Sequence, residues 1–443
     1  MDAEAGLRGK TYAIVIQGCR TNQYEGEALA AALEQAGAVR CDERPDIAVV
    51  VTCTITAVAD RKCRKLLRRL RREHPASVVV ACGCYAERIT DEERDALGVD
   101  IILGNRLKHL LPQVLASWFA GGVKKGLSLL DEGLLSDAAW DGLTLDHPRL
   151  HSRAFLKVQD GCSHYCSYCI VPFVRGRPVS RDLDESVEEA RRIVASGCPE
   201  IVLTGIHIGL YENLAELVRR IGAVPGLRRL RFGSVEPFAV DETLLDALAE
   251  TPCFCRHLHL PLQSGDDGVL ARMRRGYDAA AFAGIVANIR NRLGEDVHIS
   301  TDLMVGFPGE DAAAFANSLS FVRALRFGKI HVFPYSPREG TDAAEWRRPP
   351  ACEVRERENE ALAAAEELHE AYCRRWLGRE VSVLVEESAN GVLRGLTPNY
   401  VRVAAAGDAP VSSEVSVTPD EFRGGILTCG GASGDGGGFT DVI

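Results

Sequence analysis

The sequence predicts an α/β protein in three parts: an N-terminal parallel α/β domain, a central partial (β/α)6 barrel and a small C-terminal β-barrel. Two observations carry this. Short apolar strands alternate with helices in the first hundred residues, and the alternation restarts in longer units from Arg153. After Leu377 the pattern changes to short alternating strands separated by Gly, Pro and Asn. With 443 residues and 48.1 kDa, 46% apolar and 26% charged, the chain has an ordinary globular composition and the length for several cores.

In the first part, spanning 8–120, Thr11 to Gln17 reads as a strand and Tyr24 to Ala36 as an Ala-rich helix ending at Gly37. Asp46–Val51, Ser77–Val80 and Val99–Leu103 are the following strands, apolar throughout as in a sheet covered on both faces. Residues 120–147 lack a period and read as a connector. The second part, 148–375, has six apolar strands at Ala154–Val158, Glu200–Thr204, Leu230–Ser234, His257–Leu262, His298–Val305 and Lys329–Phe333. Helices such as Glu185–Ala195, Leu214–Ile221 and Asp311–Leu325 lie between them. In such folds the chemistry sits at the C-terminal ends of the strands. A charged helix, Val354–Leu377, leads to the third part, 376–430, with strands at Glu380–Glu386, Gly391–Leu396, Tyr400–Ala404 and Glu414–Val417. The Gly/Ser-rich tail Gly430–Gly438 reads as disordered.

Charge and cysteine usage narrow the function classes. Lys+Arg 52 against Asp+Glu 62 gives −10, which excludes a uniformly basic nucleic-acid coat but not a local basic patch. No run of about 18 apolar residues suggests a membrane span. The N-terminus has neither the basic nor the apolar region of a signal peptide, so a cytoplasmic location is expected. Fifteen cysteines without an export signal point to a reducing compartment, where thiols serve as metal ligands.

Two cysteine constellations stand out. Cys162, Cys166 and Cys169 form a C-x3-C-x2-C run directly after the first barrel strand. Three thiolates on one loop hold three irons of a [4Fe–4S] cube and leave the fourth open to chelate a small molecule. Zinc would want a fourth protein ligand, and none lies nearby. Cys19, Cys53 and Cys84 follow the first three strands of the N-terminal sheet, whose ends converge on one rim. They suit a second cluster, with buried free cysteines as the plain alternative. Cys82 lies further back along its strand and suits ligation less. Cys41, Cys63, Cys198, Cys253, Cys255, Cys352, Cys373 and Cys429 read as packing residues.

Cys162–Cys169 resembles the radical S-adenosylmethionine (SAM) signature. Gln159-Asp160-Gly161-Cys162 and Ile170-Val171-Pro172-Phe173-Val174-Arg175-Gly176-Arg177 around it resemble the methylthiotransferase family within that group. Gly18–Glu25, Thr52-Cys53-Thr54 and Gly83-Cys84-Tyr85-Ala86 resemble the family's auxiliary-cluster motifs, and Gly395–Val401 resembles its TRAM domain. Asn22–Glu25, Ala59–Lys62 and His331–Arg338 are similar to the branch acting on N6-threonylcarbamoyladenosine (t6A) at position 37 of tRNA. The resemblance implies two [4Fe–4S] clusters and SAM, and an electron donor such as flavodoxin or ferredoxin. It further implies that SAM on the Cys162/Cys166/Cys169 cluster yields a 5′-deoxyadenosyl radical that activates C2–H of the adenosine. The Cys19/Cys53/Cys84 cluster then holds the sulfur, which a second SAM methylates. Isopentenyladenosine, a ribosomal-protein aspartate, or a non-catalytic metal-cluster RNA-binding protein are the alternatives.

Tyr168 is a candidate to pack on the SAM adenine, with a plain buried aromatic as the alternative. Gly205 and Asp302, near strand ends, are candidate SAM contacts, although Thr204-Gly205-Ile206 matches the family's Gly-Gly-Glu element only in part. His257 and His259 share a strand face and read as core or cavity lining. Arg61, Lys62, Arg64, Lys65, Arg68, Arg69, Arg71 and Arg72 are eight basic residues in twelve with no acid among them. Cys63, Leu66, Leu67 and Leu70 form an inner helical stripe, so the charges fan outward as a phosphate-binding face, with Arg272, Arg274 and Arg275 as additions. Arg394 and Arg402 are outnumbered by acids in the C-terminal module.

Overall fold

The computed structural model describes residues 6–123, 125–137, 139–148 and 152–432. Strands β1 (Thr11–Ile16), β2 (Val39–Arg40), β3 (Ile47–Thr52), β4 (Val78–Gly83), β5 (Ile101–Leu103) and β6 (Leu127–Leu129) make a parallel sheet in the order β2-β1-β3-β4-β5-β6. Helices α1 (Arg20–Gln35), α2 (Ala57–Glu73), α3 (Asp91–Leu97) and α4 (Leu111–Phe119) cover it. The period of two explains the unbroken apolar strands. Ile47, Val49 and Val51 of β3 pack with Leu29 and Leu33 of α1, while Ala48 and Val50 pack with Cys63, Leu66, Leu67 and Leu70 of α2. Residues 120–147 are not a plain connector: within them β6 adds a sixth strand beside β5.

The six expected barrel strands form as β7 (Ala154–Asp160), β9 (Glu200–Gly205), β10 (Arg229–Phe232), β11 (His257–His259), β12 (His298–Val305) and β13 (Lys329–Pro334), joined by a short antiparallel β8 (Val179–Ser180). They lie in two sheets, β10-β9-β7-β8 and β11-β12-β13, linked by a bridge between Leu230 and Phe254. β11 stops at His259, short of the expected Leu262. Pro261 has no N–H to give to a ladder, and Gln263 turns to φ 74. Helices α5 (Val171–Arg175), α6 (Leu183–Ala195), α7 (Leu214–Gly222), α8 (Glu242–Glu250), α9 (Asp267–Met273), α10 (Ala279–Leu293), α11 (Ala312–Leu325) and α12 (Ala351–Arg374) complete this part.

The C-terminal module has six strands rather than the four read from sequence: β14 (Val381–Ala389), β15 (Val392–Leu396), β16 (Arg402–Ala406), β17 (Glu414–Val417), β18 (Glu421–Arg423) and β19 (Ile426–Cys429). Their order is β17-β14-β15-β16-β19-β18, curled around Val383, Val385, Val403 and Leu427. Of the expected disordered tail, residues 433–438 lie outside the described residues. Among the described residues no helix is long and apolar enough to cross a membrane.

Candidate active site

The loop after β7 is shaped by Gly161 (φ +71): a Cβ there would lie 2.1 Å from the Arg177 carbonyl oxygen. The loop is then pinned from beneath. Ser167 donates from N to the Met273 oxygen at 3.2 Å and from Oγ to the Arg272 oxygen at 2.8 Å, and Ala343 N donates to the Ser167 oxygen at 2.8 Å. His164 N donates to Cys162 Sγ at 3.4 Å, and Arg275 Nη1 to Cys166 Sγ at 3.4 Å. Cys162, Cys166 and Cys169 line a cavity of about 110 Å³ together with His207, Glu236 and Arg275. Burial pushes the Cys162 thiol up to about 11 and that of Cys169 to about 12, so loading iron must release protons. Tyr168 also borders this cavity, with its ring edge-on to Phe307.

Cys19, Cys53 and Cys84 stand at the ends of β1, β3 and β4, adjacent in the sheet. Gly18 (φ +111) lets the first two loops touch: a Cβ there would meet Cys53 Cβ at 2.7 Å and its Sγ at 3.1 Å. Burial and the neighbouring thiols Cys84 and Cys19 push the Cys53 thiol up, and burial does the same for Cys84. Cys63 packs on the Cys53 backbone, with its Sγ 3.4 Å from both N and O. Cys82 points back into the sheet toward the Val50 oxygen. Cys352, expected as a packing residue, is exposed in the first turn of α12.

The donor spacing separates the possible metals. Among the described residues, the one His/Cys/Asp/Glu trio whose donor atoms all lie within 4.8 Å of one another is Glu25, Asp141 and Asp160. Neither cysteine trio closes that far, although a tetrahedral zinc with bonds of about 2.3 Å would hold its sulfurs about 3.8 Å apart. A cube, with a separate iron behind each thiolate, spreads them wider. Neither cysteine trio is closed on a single ion.

The carboxylate trio is an ion network. Lys157 Nζ lies 2.9 Å from Glu25, 2.6 Å from Asp141 and 2.5 Å from Asp160, and Lys108 Nζ lies 2.5 Å from Glu25. Arg175, the last residue of α5 and six past Cys169, donates to Glu25 at 2.5 and 3.1 Å, to Asn22 Oδ1 at 2.7 Å and to Cys84 Sγ at 3.1 Å. Three acids therefore face three bases, drawn from five segments, with Lys157 and Asp160 both on β7. Burial alone would raise the Glu25 carboxyl, but Arg175, Lys108 and Lys157 hold it well below the ordinary range. This network locks the rim that carries Cys84 to the loop that carries Cys162. Removing one partner strands buried charge, so Glu25→Gln is expected to cost about 3–5 kcal/mol. Urea unfolding reads this as a lower midpoint at unchanged slope, and an unaltered midpoint would count against the locking role.

Beside Cys19 opens a cavity of about 280 Å³ that Arg20, Gly205, Asp302, Lys329 and His331 also line, and Val171 and Ile206 border both it and the cavity of the Cys162 loop. His259 Nε2 lies 3.3 Å from Asp302, and Ser300 Oγ links His259 Nδ1 at 3.0 Å to His257 Nε2 at 3.1 Å. Burial lowers His331 to about 4, so Arg20 and Lys329 supply the positive charge on this wall. Tyr400 of the C-terminal module also lines the cavity. Its ring stacks on His257 at 4.7 Å and lies 4.9 Å from the Arg231 guanidinium and 5.6 Å from that of Arg153. Burial would raise the phenol, but Arg153, Arg20 and Arg231 bring it down to about 8. Sequence reading missed Tyr400, Lys329 and Arg175 as site residues, and Arg20, directly after Cys19, was the most accessible clue.

The basic segment is helix α2, capped by Thr56 Oγ1 accepting from Ala59 N. Arg61, Lys62, Lys65 and Arg68 are exposed and unpaired among the described residues. Arg69 and Arg72 are exposed beside Glu73 at 3.5 and 3.8 Å, and Arg64 leans on Tyr85 Oη at 3.2 Å. Arg71 departs from the expectation. In the last turn it folds back on the domain, donates to the oxygens of Gly98, Pro75 and Ser77 at 2.8, 3.0 and 3.1 Å, and pairs with Asp100. Arg275, read as an addition to the basic face, is instead buried under the cysteine loop, donating to Tyr277 Oη at 3.0 Å and the Pro261 oxygen at 2.9 Å. Arg274 pairs with Asp342 at 2.6 Å.

Residues 156–322 match the family model described as the Radical SAM superfamily, and residues 11–104 match that of uncharacterized protein family UPF0004. The threonylcarbamoyladenosine tRNA methylthiotransferase MtaB of Bacillus subtilis is 32% identical over 413 residues, 90% of each chain. The chain belongs to the radical SAM tRNA methylthiotransferases. Membership makes it an enzyme that transfers sulfur-containing groups, and the superfamily brings a [4Fe–4S] cluster and SAM. A tRNA-2-methylthio-N(6)-dimethylallyladenosine synthase of Parafrankia sp. is 34% identical over 450 residues, 96% of this chain and 89% of that one. Among solved structures, the radical SAM methyltransferase TsrM of Kitasatospora setae superposes with a TM-score of 0.54 at 17% identity, over 74% of this methylthiotransferase and 76% of TsrM, which is a likeness of fold.

Proposed function

We propose that this methylthiotransferase converts t6A at position 37 of tRNA to its 2-methylthio form in the cytoplasm. Cys162, Cys166 and Cys169 hold the SAM-binding cluster, Cys19, Cys53 and Cys84 hold an auxiliary cluster, and a flavodoxin or ferredoxin supplies electrons. When bound, these groups supply reductive SAM cleavage and the inserted sulfur. The protein's own residues place and shield the reactants. Arg275 and Arg175 donate to one thiol of each trio, and Tyr400 contributes its ring to the chamber wall. Gly205 and Asp302 are the proposed SAM contacts, and Tyr168 flanks that side. The exposed face of α2, with Arg61, Lys62, Lys65, Arg68, Arg69 and Arg72, supports a grip on tRNA phosphates.

The observation that carries the t6A reading is the pair Arg20 and Lys329 on the wall of the 280 Å³ cavity. The threonylcarbamoyl group ends in a carboxylate, which two cations favour. A dimethylallyl group is neutral hydrocarbon and offers these cations no counter-charge. The dimethylallyladenosine names among the relatives make that substrate the second reading. The reconstituted enzyme is therefore expected to methylthiolate a t6A-containing anticodon stem-loop in preference to one with isopentenyladenosine. Lys329→Gln should lower kcat/KM on the t6A substrate about tenfold or more, an amount equal to about 1.4 kcal/mol, with little effect on uncoupled SAM cleavage. A preference for isopentenyladenosine, read by nucleoside mass spectrometry, would overturn the assignment.

A further inference from the structure

A second concavity lies outside the reaction chamber, where β13 ends and α12 begins. Its volume is about 630 Å³, and its walls include Tyr335, Trp346, Arg347, Arg348 and Arg355. Trp346 stands edge-on to Phe307, which in turn packs against Tyr335, so the aromatic wall is held by the core. The three arginines are exposed and have no ion pair or hydrogen bond among the described residues. One acid, Glu358, shares the walls. The hydroxyl of Tyr335, a residue only 8% exposed, has no hydrogen-bond partner although it is buried at the wall of this cleft. An unmet buried hydroxyl costs free energy unless a ligand completes it.

The cleft adjoins both halves of the enzyme. Ser336, the residue after Tyr335, accepts at Oγ from Ala57 N at the start of α2 with a distance of 3.0 Å. Ala343, three residues before Trp346, is hydrogen-bonded to the cysteine loop at Ser167. An aromatic ring for stacking, a buried polar group for a base edge and several free guanidinium groups for phosphate are together the requirements of an unpaired nucleotide. Net charge in the walls is two positive, from Arg347, Arg348 and Arg355 against Glu358.

We propose that this cleft binds an unpaired nucleotide of the substrate RNA, next to the nucleotide that enters the reaction chamber, with the base against Trp346 and Tyr335 and its phosphate on the arginines. The proposal rests on the tRNA reading above. It makes the cleft a second anchor beside α2, one that orients the loop while α2 holds phosphates along the stem.

The test uses the full-length holoenzyme and an anticodon stem-loop RNA with 5-iodouridine at single unpaired positions. Irradiation is expected to crosslink one loop position to Tyr335 or Trp346, mapped by peptide mass spectrometry. The Arg347→Gln, Arg348→Gln, Arg355→Gln triple variant changes only exposed side chains. It should weaken binding about tenfold or more and flatten the salt slope by about two to three units. Tyr335→Phe should weaken binding without altering the salt slope, an outcome a purely electrostatic surface would not give. The α2 variant Arg61→Gln, Lys62→Gln, Lys65→Gln, Arg68→Gln should flatten the slope but leave the crosslink position unchanged. If wild-type enzyme binds the RNA while the triple variant keeps its affinity and slope and no crosslink reaches the cleft, the inference falls and the tRNA reading stands. If the wild-type enzyme does not bind the stem-loop, both fall.

Discussion

Alanine at Cys162, Cys166 and Cys169 together is expected to abolish 5′-deoxyadenosine formation under dithionite, with or without tRNA. The three thiols line one cavity on a single loop, and no other thiol borders that cavity. With the three thiols gone, the Arg275 guanidinium that donates to Cys166 has only N–H donors and cannot take their place. The loop itself should persist, because Gly161 sets its turn and Ser167 ties it to Met273, Arg272 and Ala343 independently of the thiols. Iron analysis after anaerobic reconstitution should fall from about eight to about four per chain, one cube of two. Undiminished 5′-deoxyadenosine would remove these residues from SAM chemistry.

The complementary variant, alanine at Cys19, Cys53 and Cys84, should also lose about four irons yet keep reductive SAM cleavage. Its methylthio product should disappear. The two trios stand at the ends of strands in separate sheets, and each has its own lining and hydrogen bonds, so one is expected to be emptied without dismantling the other. Removing Cys84 does leave Arg175 without its sulfur acceptor. Glu25 and Asn22 still hold the guanidinium at 2.5 and 2.7 Å, so the interface should survive. Sulfur insertion at normal yield would show that these thiols are not the sulfur site.

The sequence by itself determined, apart from the short strands β6, β18 and β19 that escaped it, the three-part α/β organisation, the barrel strands and the positions of both cysteine trios relative to strand ends. These are local properties. Apolar runs bounded by turns fix strands such as His298–Val305, and a cysteine just past a strand end is placed on the sheet's rim whatever the rest of the chain does. It also placed Gly205 and Asp302 near strand ends, and the structure lines one cavity with both. The basic pattern of α2 was legible because its inner stripe Cys63, Leu66, Leu67 and Leu70 dictates which side faces out.

Only the tertiary structure decided which charges are spent inside the fold. Arg71 and Arg275 read as surface cations until distant partners claimed them, Gly98 and Asp100 for one, Pro261 and Tyr277 for the other. It also assigned the C-terminal module a place beneath the barrel, where Arg229 and Arg231 donate to the oxygens of Leu396 and Pro398 at 2.7 and 2.9 Å and Tyr400 enters the chamber. The physical reason is range. Strand and helix periodicity arise from neighbours a few residues apart, whereas a buried charge is stable only if its counter-charge arrives from elsewhere. Here Glu25 is met by Lys108, Lys157 and Arg175, partners 83, 132 and 150 residues along the chain, and no local pattern encodes that meeting.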